Sequence, residues 1–303
     1  MKIAIIGSPD RKELDFPLVE EAKLIFDDVL YVPIGEIILK ISKDLQVLHK
    51  DIDVSGFDVV LPISTFPYKE FYYMCLKILE KYTYTPISSD NFFNFCNRTL
   101  FLKTLSENGI KVRRIFSVAS SVAARTIINQ LGLPVILDVP GKNIFIADRT
   151  TLKNILSMFK PGRVIMFKKP IKPESMIWVF VVGNEVVASY EKVDKNMRPV
   201  RVERKIEELA VRIKNLISSD FCVVNFLRVK NQTMMNQVSL SPDFPLFQKI
   251  TSKNICRSLL MHLRANATEK RKNILDIFVD SINDFVRWFS HEVSHLGSTQ
   301  KKT

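Results

Sequence analysis

The chain has 303 residues, 47% of them hydrophobic, and 44 Lys and Arg against 32 Asp and Glu give a net charge of +12. That length suits two or three compact lobes with a sizeable core, and no apolar run reaches the ~18–20 residues that span a bilayer. Lys2–Gly7 is too short for a secretory h-region and no small-residue cleavage site follows it, so a cytoplasmic protein is expected. Its four cysteines (Cys75, Cys96, Cys222, Cys256) form no CxxC pair and read as reduced, mostly buried thiols. The positive charge would attract polyanions, yet the chain carries no zinc-finger, RNA-recognition or basic-zipper motif.

In chain order, Lys2–Gly7 is an apolar, β-branched run closed by Gly-Ser-Pro, the pattern of a buried strand and turn. A helix is expected from Pro17, a residue favoured at a first helical position, to about Asp28. Strands follow at Val29–Val32 and, after a polar stretch, at Asp58–Pro62, which predicts an open, mostly parallel α/β sheet. Phe92–Leu105 reads as a helix ending near Gly109. Val112–Ser117 (strand), Ser120–Leu131 (helix) and Pro134–Asp138 (strand) come next. Val164–Lys168, Trp178–Val182 and Asn184–Ala188 are β-like, the last two forming a hairpin. A helix at Ile206–Leu216 precedes the strand Phe221–Leu227. Ile274, Phe278, Ile282, Phe285, Phe289 and Val293 fall on one stripe of a further helix.

Four segments in this order carry a family likeness. They are Asp58–Ile63 (DVVLPI), Phe95–Ile110 (FCNRTLFLKTLSENGI), Trp178–Ala188 (WVFVVGNEVVA), and the pair Val224–Arg228 (VNFLR) with Gln237–Pro242 (QVSLSP). Together they resemble the RimK-type ATP-grasp proteins, a family of ATP-dependent carboxylate–amine ligases, over about residues 1–264. The resemblance implies an α/β and α+β architecture: an ATP-grasp fold of three lobes plus a C-terminal helical extension. The expected lobes are an N-terminal α/β domain (1–88), a central ATP-grasp lobe (89–165), a C-terminal ATP-grasp lobe (166–264) and the extension (265–303).

Enzymes of that family phosphorylate a carboxylate with ATP and let an amine attack the acyl phosphate, using magnesium and cationic side chains to neutralise charge. Most of the residues the resemblance assigns to that work are replaced. The three metal-ligand positions hold Asn225, Gln237 and Ser239, two amides and a hydroxyl where magnesium wants anionic oxygens. The two phosphate lysines read Thr99 and Asp138. The glycine-rich phosphate loop is reduced to Val139–Asn143, with Gly141 alone and a proline that removes a donor. Trp178 stands where the family directs an arginine at the reacting groups, and Lys192 is a basic residue near another arginine position. Lys168 and Lys169 lie in the expected adenine-binding linker.

A catalytically degenerate ATP-grasp protein acting as a structural or partner-binding subunit is therefore expected, with no cofactor of its own; ATP and Mg2+ enter by the resemblance alone. An active ligase with a rebuilt site and a nucleic-acid-associated basic protein remain alternatives. His291-Glu-Val-Ser-His295 matches HExxH, but no His, Asp, Glu or Cys follows it to complete a metal site. Arg198, Arg201, Arg204 and Lys205 are interleaved with Glu203 and Glu207 and read as a solvated face. The 274–293 stripe is expected to pack on its own core or to dock a protein partner or second copy, with Trp288 and Phe289 as anchors.

Overall fold

The structure, a computed structural model, describes residues 1–43, 45–63, 68–139, 142–158, 164–230 and 232–270. The expected helical stripe of 274–293, the HExxH segment and Gly141 lie outside them. The first region contains β1 (Lys2–Gly7), α1 (Lys12–Lys23), β2 (Asp28–Pro33), β3 (Ile37–Ile41), β4 (Leu45–His49), β5 (Ile52–Asp53), β6 (Val59–Pro62) and α2 (Lys69–Leu79). Parallel strands in the order β2-β1-β6 form a sheet whose central strand is buried on both faces, with Ile3–Ile6 fully enclosed.

Two expectations for this region change. Helix α1 begins five residues before Pro17, which lies inside it. Burial of Leu18 and Ala22 against Ile3, Ile5 and Leu61 outweighs the hydrogen bond that the proline removes. The polar stretch after Val32 is a small antiparallel sheet, β3-β4-β5. Its buried face is narrow, since Ile37 and Val47 are enclosed while Ile38 and Ile41 are exposed, so no continuous apolar run marked it.

The middle region runs through α3 (Ser89–Cys96), α4 (Arg98–Glu107), β7 (Ile115–Val118), α5 (Ser121–Leu131), β8 (Val135–Val139), β9 (Lys142–Ile146), α6 (Arg149–Ser157) and β10 (Ile165–Lys168). Its antiparallel sheet, in the order β7-β10-β8-β9, extends through Lys168 and has its own core under α5 and α6, including Ala124, Ile128, Leu137, Leu152 and Phe167. The helix expected over Phe92–Leu105 is two helices, broken at Asn97 where ψ is 87°.

The last region holds β11 (Ser175–Val182), β12 (Glu185–Val193), β13 (Asn196–Pro199), α7 (Arg204–Ile217), β14 (Phe221–Val229), β15 (Gln232–Ser239), α8 (Phe244–Thr251) and α9 (255–270). The five-stranded antiparallel sheet β13-β12-β11-β14-β15 is covered by α7 on one face, where Ile206, Ala210 and Ile213 meet Ile177, Val179 and Val224. On its other face Phe180 and Val223 share a core with α8, α9 and the N-terminal sheet. Leu259, Leu260 and Leu263 of α9 are fully buried, each contributing roughly 1.5–3 kcal/mol. At the start of the expected extension, Ala267 is buried and Lys270 Nζ donates to the Thr83 carbonyl at 2.9 Å. No described helix is long and apolar enough to cross a membrane.

One buried carboxylate has a cost with a readable sign. Asp15 is fully buried; its Oδ2 accepts from the Tyr31 hydroxyl at 3.1 Å, while its Oδ1 lies 3.7 Å from Arg11 and, among the described residues, receives no hydrogen bond. Burial pushes its pKa up to about 6, against the opposing pull of Arg11 and Tyr31. A folded-state pKa above the unfolded value means stability present at low pH is lost as pH rises through about 6. Asp15→Asn is expected to be less affected by that loss. Urea unfolding should show its stability relative to wild type growing by about 2.4 kcal/mol between pH 4 and pH 8; a difference that stays constant with pH would contradict the assignment.

Candidate functional site: a cleft between the central and C-terminal sheets

The break at Asn97 shapes one wall of a cleft of about 640 Å³. Asn97 caps α4 with its side-chain oxygen on the Leu100 amide at 3.3 Å, which brings Arg98 and Thr99 to the opening. Ser117 and Val118 of β7, Asp138 of β8, Met166 of β10 and Met235–Val238 of β15 complete the walls.

Charge is concentrated on Asp138. Its Oδ2 is 2.7 Å from Lys168 Nζ and 2.7 Å from an Arg98 Nη, with Asp138 and Lys168 both nearly enclosed. The main-chain register explains the meeting, because β10 lies beside β8 and pairs Met166 with Asp138 and Lys168 with Ile136. Burial holds the Lys168 ammonium below its usual pKa, with the Asp138 bond opposing that fall. Arg113 stands close enough to feel both Arg98 and Asp138, and is likewise lowered, mainly by burial and then by Arg98. It donates to the Lys169 carbonyl and to Asn236 Oδ1 at 3.4 Å.

The expected metal-ligand positions are on neighbouring strands. Asn225 lies opposite Gln237, and Val223 opposite Ser239. A register shift between Asn225 and Phe226 inserts Asn236 as an extra residue on β15, and this is the side chain that reaches Asn225. Asn236 Nδ2 donates to Asn225 Oδ1 at 2.7 Å, and Asn225 Nδ2 donates to the Ile177 carbonyl at 3.2 Å. Ser239 is bonded within its own turn to Ser241, and Gln237 is exposed. Among the described residues no group of three His, Cys, Asp or Glu is arranged to hold a metal ion. Neutral amides already committed to each other are a poor donor set for magnesium.

The remaining expected residues are spread over several tasks. Thr99 and Ser117 share a hydrogen bond of 2.9 Å across the cleft wall. Lys169 donates to the Gly132 and Pro134 carbonyls, which anchors β10 to the α5–β8 turn. Trp178 stacks on Tyr190 (5.0 Å, 12°), and Tyr190 meets Phe247 edge-on at 4.8 Å. Half-buried Lys192 lies opposite Met176 on β11. In the basic segment, Arg198 pairs with Glu191 and Arg204 with Glu208 rather than with the Glu203 and Glu207 between them.

The RimK-like ATP-grasp domain model matches residues 96–263. The chain belongs to this family. A probable alpha-L-glutamate ligase of Haemophilus influenzae (strain PittEE) is 24% identical over 207 residues, 62% of this chain and 70% of the relative. Among solved structures, a RimK-domain ATP-grasp protein from Sphaerobacter thermophilus superposes with a TM-score of 0.69 at 14% identity, covering 86% of this chain and 99% of the other. The ATP-grasp ligase PsnB, complexed with precursor peptide PsnA2 and AMPPNP, gives 0.66 at 14% identity and covers 88% and 97%. The fold is therefore ATP-grasp, and its family is one of ATP-dependent ligases.

Sequence reasoning passed over Arg98, Arg113, Ser117 and Asn236. The Arg113-Arg114 pair was the available signal for one of them. The extra residue on β15 left no mark in composition or spacing. Because Asp138 is the carboxylate paired with buried Lys168, Asp138→Ala should cost about 3–5 kcal/mol in urea unfolding by stranding that ammonium. Asp138→Leu combined with Lys168→Met should recover part of that loss, and a double variant as unstable as the single would show that the pair is not the source.

Proposed function

We propose that this RimK-like ATP-grasp protein carries out no magnesium-ATP-dependent ligation and works by binding a partner. The observation that carries this reading is the Asn225–Asn236 amide pair at the positions the family resemblance gives to metal carboxylates. A carboxylate contributes on the order of 4 kcal/mol per unit of cation charge at 4 Å and an effective dielectric near 20, and neutral amides contribute no such attraction. Thr99 and Asp138 at the phosphate-lysine positions work in the same direction, since Thr99 carries no charge and Asp138 repels phosphate while pairing with Lys168 and Arg98.

The partner half of the proposal draws on two features. PsnB, a neighbour in fold, is complexed with a precursor peptide, and the sequence after residue 270 carries the apolar 274–293 stripe. A protein partner, or a second copy of this chain, is the occupant this reading favours. An active ligase with a rebuilt site would instead have to place phosphates on Arg98, Arg113 and Lys168.

Calorimetry separates the two. Titration of the full chain with ATP and magnesium should show no magnesium-dependent binding tighter than about millimolar. A micromolar dissociation constant abolished by EDTA would overturn the reading.

A further inference from the structure

The cleft is emptied of the expected metal chemistry, yet it has not been filled in. Its volume, about 640 Å³, lies within the range of small-molecule sites. Its charge is also unbalanced. Arg98, Arg113 and Lys168 gather around one carboxylate, Asp138, which among the described residues leaves two positive charges in the cluster without a counterion. The lowered proton affinities of Lys168 and Arg113 have burial as their main cause, and in both Arg98 adds repulsion.

Among these cations Arg98 is the one that lines the cleft, with 30% of its side chain exposed. Among the described residues its guanidinium has no partner besides Asp138, so the rest of its fork of N–H donors is free. Lys69 lines the same cleft, half exposed, and among the described residues is paired only with its neighbour Glu70 at 3.5 Å. The rest of the lining is largely apolar: Leu100, Val118, Val164, Met166, Met235 and Val238. The two methionines are adaptable surfaces for a flat or irregular body.

We propose that this cleft binds, without a divalent metal, a small ligand with a single carboxylate or phosphate group on an apolar or planar body. The anionic group lies against the Arg98 guanidinium, and the body against Met166, Met235 and Val118. This rests on the reading that no metal-nucleotide is held here. A triphosphate without its magnesium carries more negative charge than the cluster can match and would confront Asp138, whereas one carboxylate or phosphate group stays within the surplus. The hydroxyls of Thr99 and Ser117, bonded to each other in the same wall, and the exposed amide of Gln237 are neutral groups that can adjust to either acid.

The test titrates the full chain, in EDTA, with three probes: adenosine 5′-monophosphate, indole-3-acetate and uncharged adenosine. At least one charged probe should bind with a submillimolar dissociation constant, and the one that does identifies phosphate or carboxylate as the source. Adenosine should bind at least tenfold more weakly. Arg98→Gln should weaken the charged probe at least tenfold, while Lys153→Gln, on the exposed face of α6, should change nothing. Val164→Trp, at an exposed position on the cleft wall, should block binding by filling it and serves as a second variant if Arg98→Gln is poorly folded. Absence of binding by both charged probes would overturn the inference and leave the proposed function standing. Equal binding of adenosine, or indifference to both substitutions, would also overturn it. Binding that appears only when magnesium is added would overturn both.

Discussion

The cleft is organised by one carboxylate oxygen that accepts two cations. Asp138 Oδ2 ties Lys168 of β10 and Arg98 of α4 to β8, which joins the start of α4 to the middle sheet at the mouth of the cleft. Buried ion pairs contribute little net stability but are costly to break, which makes this contact a fixed point rather than a source of strength. Everything else in the cleft is placed relative to it. Arg113 is held between its field and the carbonyl of Lys169, and through Asn236 it reaches Asn225 on the far sheet. The line from Arg98 to Asn225 crosses from the middle sheet to the C-terminal sheet along hydrogen bonds and short-range charge.

A family built to hold magnesium and nucleotide needs carboxylates on one sheet and cations on the other. In this member the sheets and their pairing persist while the charges are rearranged. On β8 a carboxylate stands at a position expected to be cationic, on β14 an amide stands at one expected to be anionic, and the cations nearby come from α4, from Arg113 and from β10. Trp178 adds to this, because stacking on Tyr190 commits it to the aromatic cluster with Phe247. On the proposed reading, such a cleft has no electrostatic reason to hold a metal.

Much of the scaffold was legible in the sequence because it follows from burial. The run Ile3–Ile6 is enclosed on both faces and could only be a central strand. The hairpin of β11 and β12 turns at Gly183, whose φ of +58° suits glycine, and a side chain there would collide with His262. What stayed illegible depends on tertiary compensation. Pro17 lies inside α1 because Leu18 and Ala22 find a sheet to cover, and β3-β4-β5 forms with only a thin buried face. The resemblance put Asn225 and Gln237 at metal-ligand positions, and they do lie opposite one another, but an inserted residue on β15 hands the contact to Asn236. The resemblance put Asp138 and Lys168 in one nucleotide site, but their ion pair, and the approach of Arg98 and Arg113 to it, follow from the strand order β7-β10-β8 and are not written in the sequence.

The central claim, that the amide pair replaces a divalent metal site, is most directly probed with a paramagnetic stand-in for magnesium. Electron paramagnetic resonance of Mn2+ with ADP, recorded with and without an excess of the full chain, reports on the metal's own surroundings. The spectrum should be the same in both samples. A broadened, protein-bound Mn2+ signal that disappears on replacing Asn225 would contradict the account.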